Sequence, residues 1–371
     1  MSEKTFASAF AENLRERRIG LGLTQKKLGE LLGYSEKSVS KWESGEVIAP
    51  SNILPLLART LETSIDYLLC AESEPEYFLG VDGGGTKSEF VVCDSSGRKI
   101  ARTLLGACNP VDLGIDAAIA VLKEGIDTVL QGILPSKVSA FAGIAGGISG
   151  DYREQIAAFL EKYRFAYFSN GSDAQNAVAA ALGENDGIAV IAGTGSIAFV
   201  KNKNLLTRIG GFGYLLDEGG NGFSLGQAAI RAALNAEQES AQHTLLLPLV
   251  KEKCGRETVL SAIADFYNGG KREIASYATC VFEAVDKGDA TAKKILADNA
   301  KCIANLIESA GKKIPLTKIT TVIVGGLTAR ADLLLPLIKE NISDPDRFEI
   351  SMSDCPPVLG AILLAGGKYN A

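Results

Sequence analysis

The chain has very little histidine and no long hydrophobic run. It has one histidine, His243, which excludes any catalytic or metal site that needs two of them. No apolar run approaches the roughly 20 residues of a membrane helix. The N-terminus also lacks the basic-then-apolar pattern of a secretory signal. We therefore expect a cytoplasmic protein with no membrane partner.

Paired cysteines are absent as well. The seven cysteines are dispersed along the chain, and no two of them form a C-x-x-C pair. An odd, scattered set of thiols is typical of reduced cysteines in a reducing compartment. We therefore do not expect a zinc site made of histidine and cysteine.

An excess of positive charge is missing too. The 44 acidic residues outnumber the 38 lysines and arginines, so the formal net charge is −6. This balance excludes a protein that coats nucleic acid through bulk charge, but it leaves room for one small DNA-reading domain. The length of 371 residues predicts two to three domains.

A glycine-rich turn is the most informative feature that is present. The chain runs from an apolar segment through Asp82 and three glycines directly into a second apolar segment. This pattern predicts a tight turn between two strands whose amides face an anion, because glycine takes positive φ and lets a phosphate approach closely. Asp82 is placed to hold a magnesium ion, directly or through water. The expected phosphate-binding residues are Gly83, Gly84, Gly85, Thr86 and the neighbouring Lys87, which could equally be a surface charge.

A second glycine turn lies between the apolar runs 188–191 and 197–200. Its expected phosphate-binding residues are Gly193, Thr194, Gly195 and Ser196, although a simple hairpin turn has the same pattern. A P-loop is excluded at the first turn, because Thr86 stands where the lysine must be and a strand, not a helix, follows. A dinucleotide fingerprint is excluded at the second turn, because no helix start follows it.

This pair of turns resembles the phosphate-1 and phosphate-2 loops of the sugar kinase, Hsp70 and actin superfamily. Within that superfamily, the chain from about residue 77 onward resembles the N-acetylglucosamine kinase and BadF/BcrA ATPase family. The resemblance implies an α/β fold with two RNase H-like lobes around a cleft for ATP and Mg²⁺. We expect the N-terminal lobe at residues 77–185 and the C-terminal lobe at residues 186–371.

Asp173 is the candidate catalytic residue. It lies at a predicted helix start in residues 169–177 and matches the family aspartate that acts as general base for the sugar hydroxyl. An N-terminal cap or a helix-dipole partner is the alternative reading, and both roles can hold. A carboxylate near the hydroxyl suffices chemically, because phosphoryl transfer depends mostly on positioning and charge neutralisation.

Other positions correspond to the family's sugar and adenosine motifs. Residues 210–222 match its sugar-side loop, with Phe212 in place of the usual tryptophan. The acidic pair also stands one position early, so the choice between Asp217 and Glu218 stays open. Asn109 matches a sugar-binding asparagine, although Asn-Pro alone is a turn signal. The expected sugar-binding residues are Asn109, Asp173, Thr194, Gly211, Phe212, Asp217 and Glu218. The expected adenosine-binding residues are Gly325, Gly326 and Leu327.

The first seventy residues have helical periodicity of a different kind. Thr24 and Ser35 mark two helix starts, and Gly33 separates the helices. Residues 24–45 closely resemble the XRE, or lambda-repressor-like, helix-turn-helix family. We therefore expect a DNA-binding domain at residues 1–70, followed by a linker at residues 71–76.

The recognition helix of such a domain lies in the major groove. The expected DNA-contacting residues are Gln25, Ser35, Glu36, Lys37, Ser38 and Lys41, although a merely solvated helix face has the same composition. Val39 and Trp42 are expected in the core, and Arg17 and Arg18 are among the candidates for phosphate contacts. Acidic residues balance the basic ones in this segment, so one copy should bind weakly. This implies a homodimer on a two-fold operator.

Three candidate functions of different classes follow. The first is an ATP- and Mg²⁺-dependent kinase of N-acetylglucosamine or glucosamine, fused to a sequence-specific DNA-binding domain as a sugar-responsive transcriptional regulator. The alternative is a non-catalytic repressor that senses a sugar or ATP. A third function, an ATPase activator of a radical dehydratase, needs cysteines near the glycine-rich segments, and residues 138–150 and 187–200 contain none.

Overall fold

The computed structural model describes most of the chain, namely residues 6–61, 63, 65–69, 75–203, 205–239 and 243–369. The chain divides into two compact units. One comprises Met1–Glu76 and Leu134–Val138, and the other comprises Tyr77–Ile133 and Ser139–Ala371. Most of the linker predicted at residues 71–76 lies outside the described residues.

Helices and strands alternate through the second unit, whereas the N-terminal segment is helical. The helices are α1 Phe6–Gly20, α2 Gln25–Leu32, α3 Glu36–Glu43, α4 Leu54–Thr60, α5 Ile65–Leu69, α6 Pro110–Leu113, α7 Ile115–Val129, α8 Tyr152–Glu161, α9 Asp173–Leu182, α10 Gly222–Glu237, α11 Leu246–Cys254, α12 Ile263–Ser276, α13 Ala278–Asp286, α14 Ala290–Gly311, α15 Ala331–Glu340 and α16 Pro357–Leu364. The strands are β1 Tyr77–Gly83, β2 Lys87–Asp94, β3 Lys99–Gly106, β4 Val138–Ile144, β5 Tyr167–Gly171, β6 Gly187–Ala192, β7 Ser196–Asn202, β8 Leu205–Gly210, β9 Ile319–Val324 and β10 Phe348–Met352. None of the described helices combines the length and hydropathy that a membrane span needs.

The helix starts predicted in the N-terminal segment are confirmed. The Thr24 side chain accepts a hydrogen bond from the backbone amide at the third position of α2, and Ser35 does the same for α3. Gly33 ends α2 with a φ of +73°, a left-handed conformation that glycine adopts without strain. Val39 and Trp42 are buried in the apolar cluster of this segment, as predicted.

Two five-stranded sheets of the same topology form the second unit. Their strand orders are β3-β2-β1-β4-β5 and β10-β9-β6-β7-β8. In each sheet, the three strands that come first in the chain form an antiparallel meander, β1-β2-β3 in one sheet and β6-β7-β8 in the other. Parallel pairing extends each sheet, with β4 beside β5 in the first sheet and β9 between β6 and β10 in the second. The predicted α/β architecture with two lobes is confirmed.

The helix start predicted within residues 169–177 is confirmed. β5 continues to Gly171, and α9 begins at Asp173. The reason is local, because the Gln175 side chain accepts a hydrogen bond from the Ser172 amide at 3.0 Å. This reciprocal side-chain contact fixes the first turn of α9 one residue after Ser172.

Glycines allow α16 to lie directly against β1 and α9. A Cβ atom on Gly80 would lie 2.7 Å from the Val358 carbonyl oxygen, and a Cβ atom on Gly360 would overlap the Asn176 carbonyl. Both contacts exclude any larger residue at these positions. The packing holds the end of β1, with Asp82, beside the start of α9, with Asp173.

Candidate active site

The first glycine turn joins β1 to β2 and is held on both sides. The Gly84 amide donates to the Lys87 carbonyl at 3.0 Å, which closes the turn. The Gly83 carbonyl accepts from the Ala145 amide at 2.7 Å, and the Gly84 carbonyl accepts from the Cys108 amide at 2.9 Å. A Cβ atom on Gly84 would lie 2.7 Å from the Lys87 oxygen, so glycine is required there. Thr86 and Lys87 are exposed at the tip.

Asn176 holds Asp82, a role that the sequence analysis missed. Asn176 is fully buried, and its Nδ2 donates to Asp82 Oδ1 at 2.9 Å. The same nitrogen also faces the Val81 carbonyl at 3.0 Å and the Gly143 carbonyl at 3.3 Å. Three oxygen acceptors around one atom identify that atom as the amide nitrogen. The signal for this role was the spacing, because Asn176 lies three residues after Asp173 on α9 and therefore shares its face.

Asp82 and Asp173 place two carboxyl groups in one electrostatic environment. Burial raises the pKa of Asp82 to about 6, the hydrogen bond from Asn176 opposes that rise, and the negative charge of Asp173 adds to it. Burial also raises the pKa of Asp173, while a hydrogen bond from the Ala174 amide at 3.0 Å opposes it. The site is therefore one in which two carboxylates repel each other and would be relieved by a cation.

This donor set fits a magnesium ion that is carried by a nucleotide. Among the described residues, no cluster of three or more histidine, cysteine, aspartate or glutamate side chains could form a metal cage. Magnesium usually binds through one or two carboxylates and takes its other oxygen ligands from water and substrate phosphates. Asp82, held by Asn176, satisfies that requirement without a dedicated cage.

The second glycine turn joins β6 to β7 and is held by the start of α10. The Gly193 amide donates to the Gly195 carbonyl at 2.9 Å. The Gly193 carbonyl accepts from the Gly222 amide at 2.7 Å, and the Thr194 carbonyl accepts from the Phe223 amide at 3.2 Å. Two orphan amides of the helix N-terminus are thus satisfied by the turn. Thr194 and Gly195 remain exposed.

The predicted adenosine motif lies next to this second turn. Gly325 has a φ of +107°, and a Cβ atom on it would lie 2.6 Å from the Ala192 carbonyl oxygen. A Cβ atom on Gly193 would lie 3.9 Å from the Gly326 amide nitrogen. Leu327 is buried in the core of the second lobe, so its side chain is not available to a ligand, and its role in adenosine binding stays a prediction.

Models of known protein families match both parts of the chain. Residues 79–365 match the model of the BadF/BadG/BcrA/BcrD ATPase family, and residues 14–68 match a helix-turn-helix model. The chain belongs to the BadF/BadG/BcrA/BcrD ATPase family. The family resemblance inferred from the two glycine turns, and its fusion to a helix-turn-helix segment, are confirmed.

Proteins similar to this chain include named sugar kinases. An N-acetyl-D-glucosamine kinase from Dictyostelium discoideum is 30% identical over 311 residues, which cover 78% of this chain and 98% of the relative. An N-acetylmuramic acid/N-acetylglucosamine kinase from Clostridium acetobutylicum is 28% identical over 318 residues, covering 80% of this chain and 100% of the relative. The crystal structure of a Chromobacterium violaceum protein, proposed to be an N-acetylglucosamine kinase, has a TM-score of 0.61. It is 24% identical and covers 78% of this chain and 99% of its own, so it shows the same fold.

The hydroxyl of Ser196, one of the residues expected to bind phosphate, is engaged within the protein, and its contact with phosphate stays a prediction. Ser196 is buried, and its Oγ donates to the Gly219 carbonyl at 2.6 Å. The Asn221 side chain donates to the same Oγ at 3.3 Å. The hydroxyl therefore ties the second turn to the loop at residues 210–220, and Thr194 carries the exposed hydroxyl of the turn.

The loop at residues 210–220 is shaped by Asp217. Its carboxylate accepts hydrogen bonds from the amides of Phe212 at 2.8 Å and Gly213 at 3.0 Å. Gly211 has a φ of +71°, which only glycine adopts without strain. The Phe212 side chain is 69% exposed, and Glu218 is also exposed. Of the two acidic residues, Asp217 is thus engaged in the loop and Glu218 faces solvent.

Asn109 has a structural role at the start of α6. Its Oδ1 accepts from the Val111 amide at 3.0 Å, and its Nδ2 donates to Asp112 Oδ2 at 2.7 Å. Gly146 gives it room, because a Cβ atom there would overlap Oδ1. The turn role is therefore present, and sugar binding by Asn109 stays a prediction.

Two basic or polar residues of the helix-turn-helix segment are engaged inside it. Arg18 Nη2 donates to Glu43 Oε2 at 2.9 Å in a buried ion pair, so the expectation that Arg18 contacts DNA phosphate is wrong. Gln25 Nε2 donates to the same oxygen at 2.8 Å. This hydrogen bond directs Gln25 toward Glu43 and the start of α2 toward the end of α3.

The remaining candidates lie on or beside the predicted recognition helix, α3. Ser35 and Ser38 share a hydrogen bond between their hydroxyl oxygens at 2.9 Å, and Lys41 pairs with Glu46 at 2.8 Å. The exposed charged side chains at the start of α3 are Glu36 and Lys37. Their contact with DNA stays a prediction.

Proposed function

We propose that this protein is an ATP-dependent kinase of an amino sugar of the N-acetylglucosamine or glucosamine type. Its fused helix-turn-helix domain makes it a sugar-responsive regulator of transcription. The observation that carries the proposal is the pair of glycine turns in duplicated sheets, with Asp82 and Asp173 as coupled carboxyls at the first turn. The named kinases among the relatives support the choice of sugar.

Asp173 is the proposed general base. Its carboxylate accepts the proton of the attacking sugar hydroxyl, and the Ala174 amide orients one of its oxygens. Burial raises its pKa, which brings the carboxylate closer to the pKa that favours proton transfer near neutral pH. The capping function at this helix start is carried by Ser172 and Gln175, so Asp173 is available for chemistry.

The two turns are the proposed phosphate cradle. Those backbone amides of residues 83–87 and 193–196 that are not used within the turns would contact the phosphates, together with the Thr194 hydroxyl and the Lys87 side chain. A magnesium ion, when bound, supplies charge neutralisation to the phosphates. Asp82 would hold it, and Asn176 keeps Asp82 oriented.

The sugar and adenosine sites are assigned to the loops beside the turns. We propose that Glu218, rather than Asp217, binds a sugar hydroxyl, because Asp217 is engaged by two amides of its own loop. The exposed Phe212 ring would cover the apolar face of the sugar. The other proposed sugar contacts are Asn109, Thr194 and Gly211. The backbone at residues 325–327 would lie against the purine and ribose.

The N-terminal unit is the proposed operator reader. Glu36 and Lys37 are exposed at the start of α3, where a recognition helix meets base edges. Ser35, Ser38 and Lys41 would lie at the same groove, and Gln25 would support them through Glu43. We propose that the protein binds as a homodimer, because one helix-turn-helix unit reads only one half-site.

The first test is ATP- and Mg²⁺-dependent phosphorylation across hexoses and amino sugars, with Asp173→Asn as the matched variant. We expect one amino sugar to be phosphorylated and a loss of about 10²- to 10⁴-fold in kcat in the variant. Sugar binding by calorimetry shows whether the variant keeps its site. If no sugar is turned over but a sugar shifts operator affinity, the protein is a sensing repressor and the kinase proposal is wrong.

A further inference from the structure

Arg272 makes a hydrogen bond across the cleft. Its Nη2 donates to the Gly85 carbonyl at 2.7 Å, and the two residues are 187 positions apart in the chain. Gly85 belongs to the first turn, whereas Arg272 lies on α12 of the second lobe. Among the residues that the structure describes, this is the only hydrogen bond of the Arg272 side chain, and no carboxylate forms an ion pair with it.

A kink in α12 sets the direction of the segment that carries Arg272. Gly270 interrupts the helix with a φ of +62° and a ψ of −154°, a conformation that side chains other than glycine rarely adopt. The segment after the kink, residues 271–276, therefore departs from the axis of the segment before it. The chain thus turns toward the first turn two residues before Arg272.

The same segment is fastened to the second turn through α10. Gly226 has no room for a Cβ atom, because that atom would overlap the Ile274 carbonyl. A Cβ atom on Gly222 would lie 3.7 Å from the Ala275 side chain. The Gly222 amide in turn donates to the Gly193 carbonyl. Because backbone packs directly on backbone here, the two segments have little room to move apart. The backbone of Arg272 therefore moves together with the second turn.

These contacts form a closed path around the proposed phosphate site. The path runs from the second turn through α10 and the end of α12 to Arg272, and from there to the first turn. A guanidinium carries five N–H donors in a planar fork, and one bond to Gly85 leaves donors for an anion at the same turn. Asp112 lies nearby, since a Cβ atom on Gly85 would lie 3.9 Å from Asp112 Oδ2. The guanidinium therefore lies at the turn that is expected to bind phosphate.

We propose that Arg272 is a positioning residue that ties the first turn to the second lobe and so sets the affinity for the nucleoside triphosphate. The proposal rests on the proposed kinase function for its substrate. Its mechanism is geometric: the hydrogen bond to Gly85 holds the two turns at the separation that one polyphosphate spans. Loss of the bond lets the lobes open and weakens nucleotide binding, while the sugar contacts in each lobe are unchanged.

The test compares Arg272→Ala and Arg272→Lys with Lys271→Ala, an exposed neighbour of the same charge. ATP–Mg²⁺ and sugar affinities are measured by calorimetry on the full chain, and KM for each substrate and kcat are measured by phosphorylation. We expect Arg272→Ala to raise the Kd and KM for ATP about 10- to 100-fold, as for loss of a charge-assisted hydrogen bond. The Kd for the sugar should change less than about threefold, Arg272→Lys should recover part of the loss, and Lys271→Ala should resemble the unmodified protein.

Two results would overturn the proposal. One is unchanged ATP affinity in Arg272→Ala. The other is an equal rise in the constants of both substrates together with a lower thermal unfolding midpoint, which would mean a merely structural role. If the unmodified protein phosphorylates no sugar, the kinase proposal fails by itself, and the ATP affinities of the three variants still decide the role of Arg272.

Discussion

The two glycine turns of this protein have the same architecture and different chemistry. Each spans three residues between antiparallel strands, residues 84–86 in one lobe and 193–195 in the other, and the amide of its first glycine donates within the turn. At the second-last position of the incoming strand, the first lobe has Asp82 and the second has Ile191. The duplicated fold thus provides two sets of amides but only one carboxylate at this position. In the proposed phosphate cradle, this difference would favour a cation on the side of the first turn.

The turns also differ in how much space they leave. A Cβ atom on Gly84 would lie 2.7 Å from a backbone oxygen, whereas a Cβ atom on Gly193 would have its nearest neighbour at 3.9 Å. Glycine is therefore needed at the first turn by the protein itself. At the second turn, the need for glycine would come from a ligand.

Of the changes that compare the two turns, the largest expected effect comes from removing the carboxylate that distinguishes them. We expect Asp82→Asn to lower kcat by about 10²- to 10³-fold, because an amide neutralises no metal charge. The substitution keeps an oxygen for the Asn176 hydrogen bond, so the fold should persist. The measurement is the rate of sugar phosphorylation as a function of Mg²⁺ concentration, with Ile191→Val as the matched change in the other lobe. A Mg²⁺ dependence that is the same in Asp82→Asn and in the unmodified protein would contradict the assignment.

The pH dependence should report the raised pKa of Asp173. Below that pKa the carboxyl is protonated and accepts no proton, so kcat should fall about tenfold per pH unit. The acid limb should lie above pH 3.8, the ordinary value for aspartate. The rate–pH profile of the unmodified protein measures it, and a limb at or below that value would contradict the role. Asp173→Asn should lose the limb that belongs to Asp173, whereas a limb from Asp82, whose pKa is raised to about 6, should remain in its residual activity.

The same pKa makes a prediction about stability without ligands. A raised pKa in the folded state means that the fold prefers the neutral carboxyl, so the stability linked to Asp173 is complete below pH 3.8 and is lost as the pH rises through the folded pKa. Asp173→Asn, which is always neutral, should therefore be the more stable protein near neutral pH. Urea unfolding of both proteins, near neutral pH and below pH 3.8, checks whether this advantage disappears in acid.

The smallest expected effect comes from the different space that the two turns leave for a Cβ atom. We expect Gly84→Ala to lower the free energy of unfolding by about 1–3 kcal/mol, because the methyl group meets a backbone oxygen. Gly193→Ala should change it by less than about 0.5 kcal/mol, because its site is open and its φ is not positive. Chemical denaturation of the full chain without nucleotide measures both. Equal losses would mean that the turns are alike in packing.

Much of the fold could be predicted because its signals are local. Asp82 and the glycines are contiguous with two apolar runs, and a strand follows Thr86 as predicted, so the hairpin is encoded in one short segment. Thr24 and Ser35 cap their helices with their own side chains, which is also a local interaction. The start of α9 within residues 169–177 is set locally too, by the contact between Ser172 and Gln175.

The roles of Arg18 and Asn176 could not be predicted in the same way. Arg18 has the charge expected of a phosphate contact, but an ion pair with Glu43, 25 residues away, holds its side chain in the core. Asn176 meets Asp82 because α16 presses α9 against β1, and Gly80 and Gly360 make room for that packing. Neither pairing has a signature in a short window of sequence, because each depends on helices that meet only in the folded chain.

The sequence by itself determined the family, the two turns and the helix-turn-helix segment, because short-range sterics, hydrophobic alternation and capping specify them. Only the tertiary structure decided which groups face one another. It placed Asn176 against Asp82, tied the Ser196 hydroxyl to Gly219 and brought Arg272 to Gly85. The physical reason is that such contacts join residues far apart in the chain, and close packing at glycines, rather than local preference, fixes their distance.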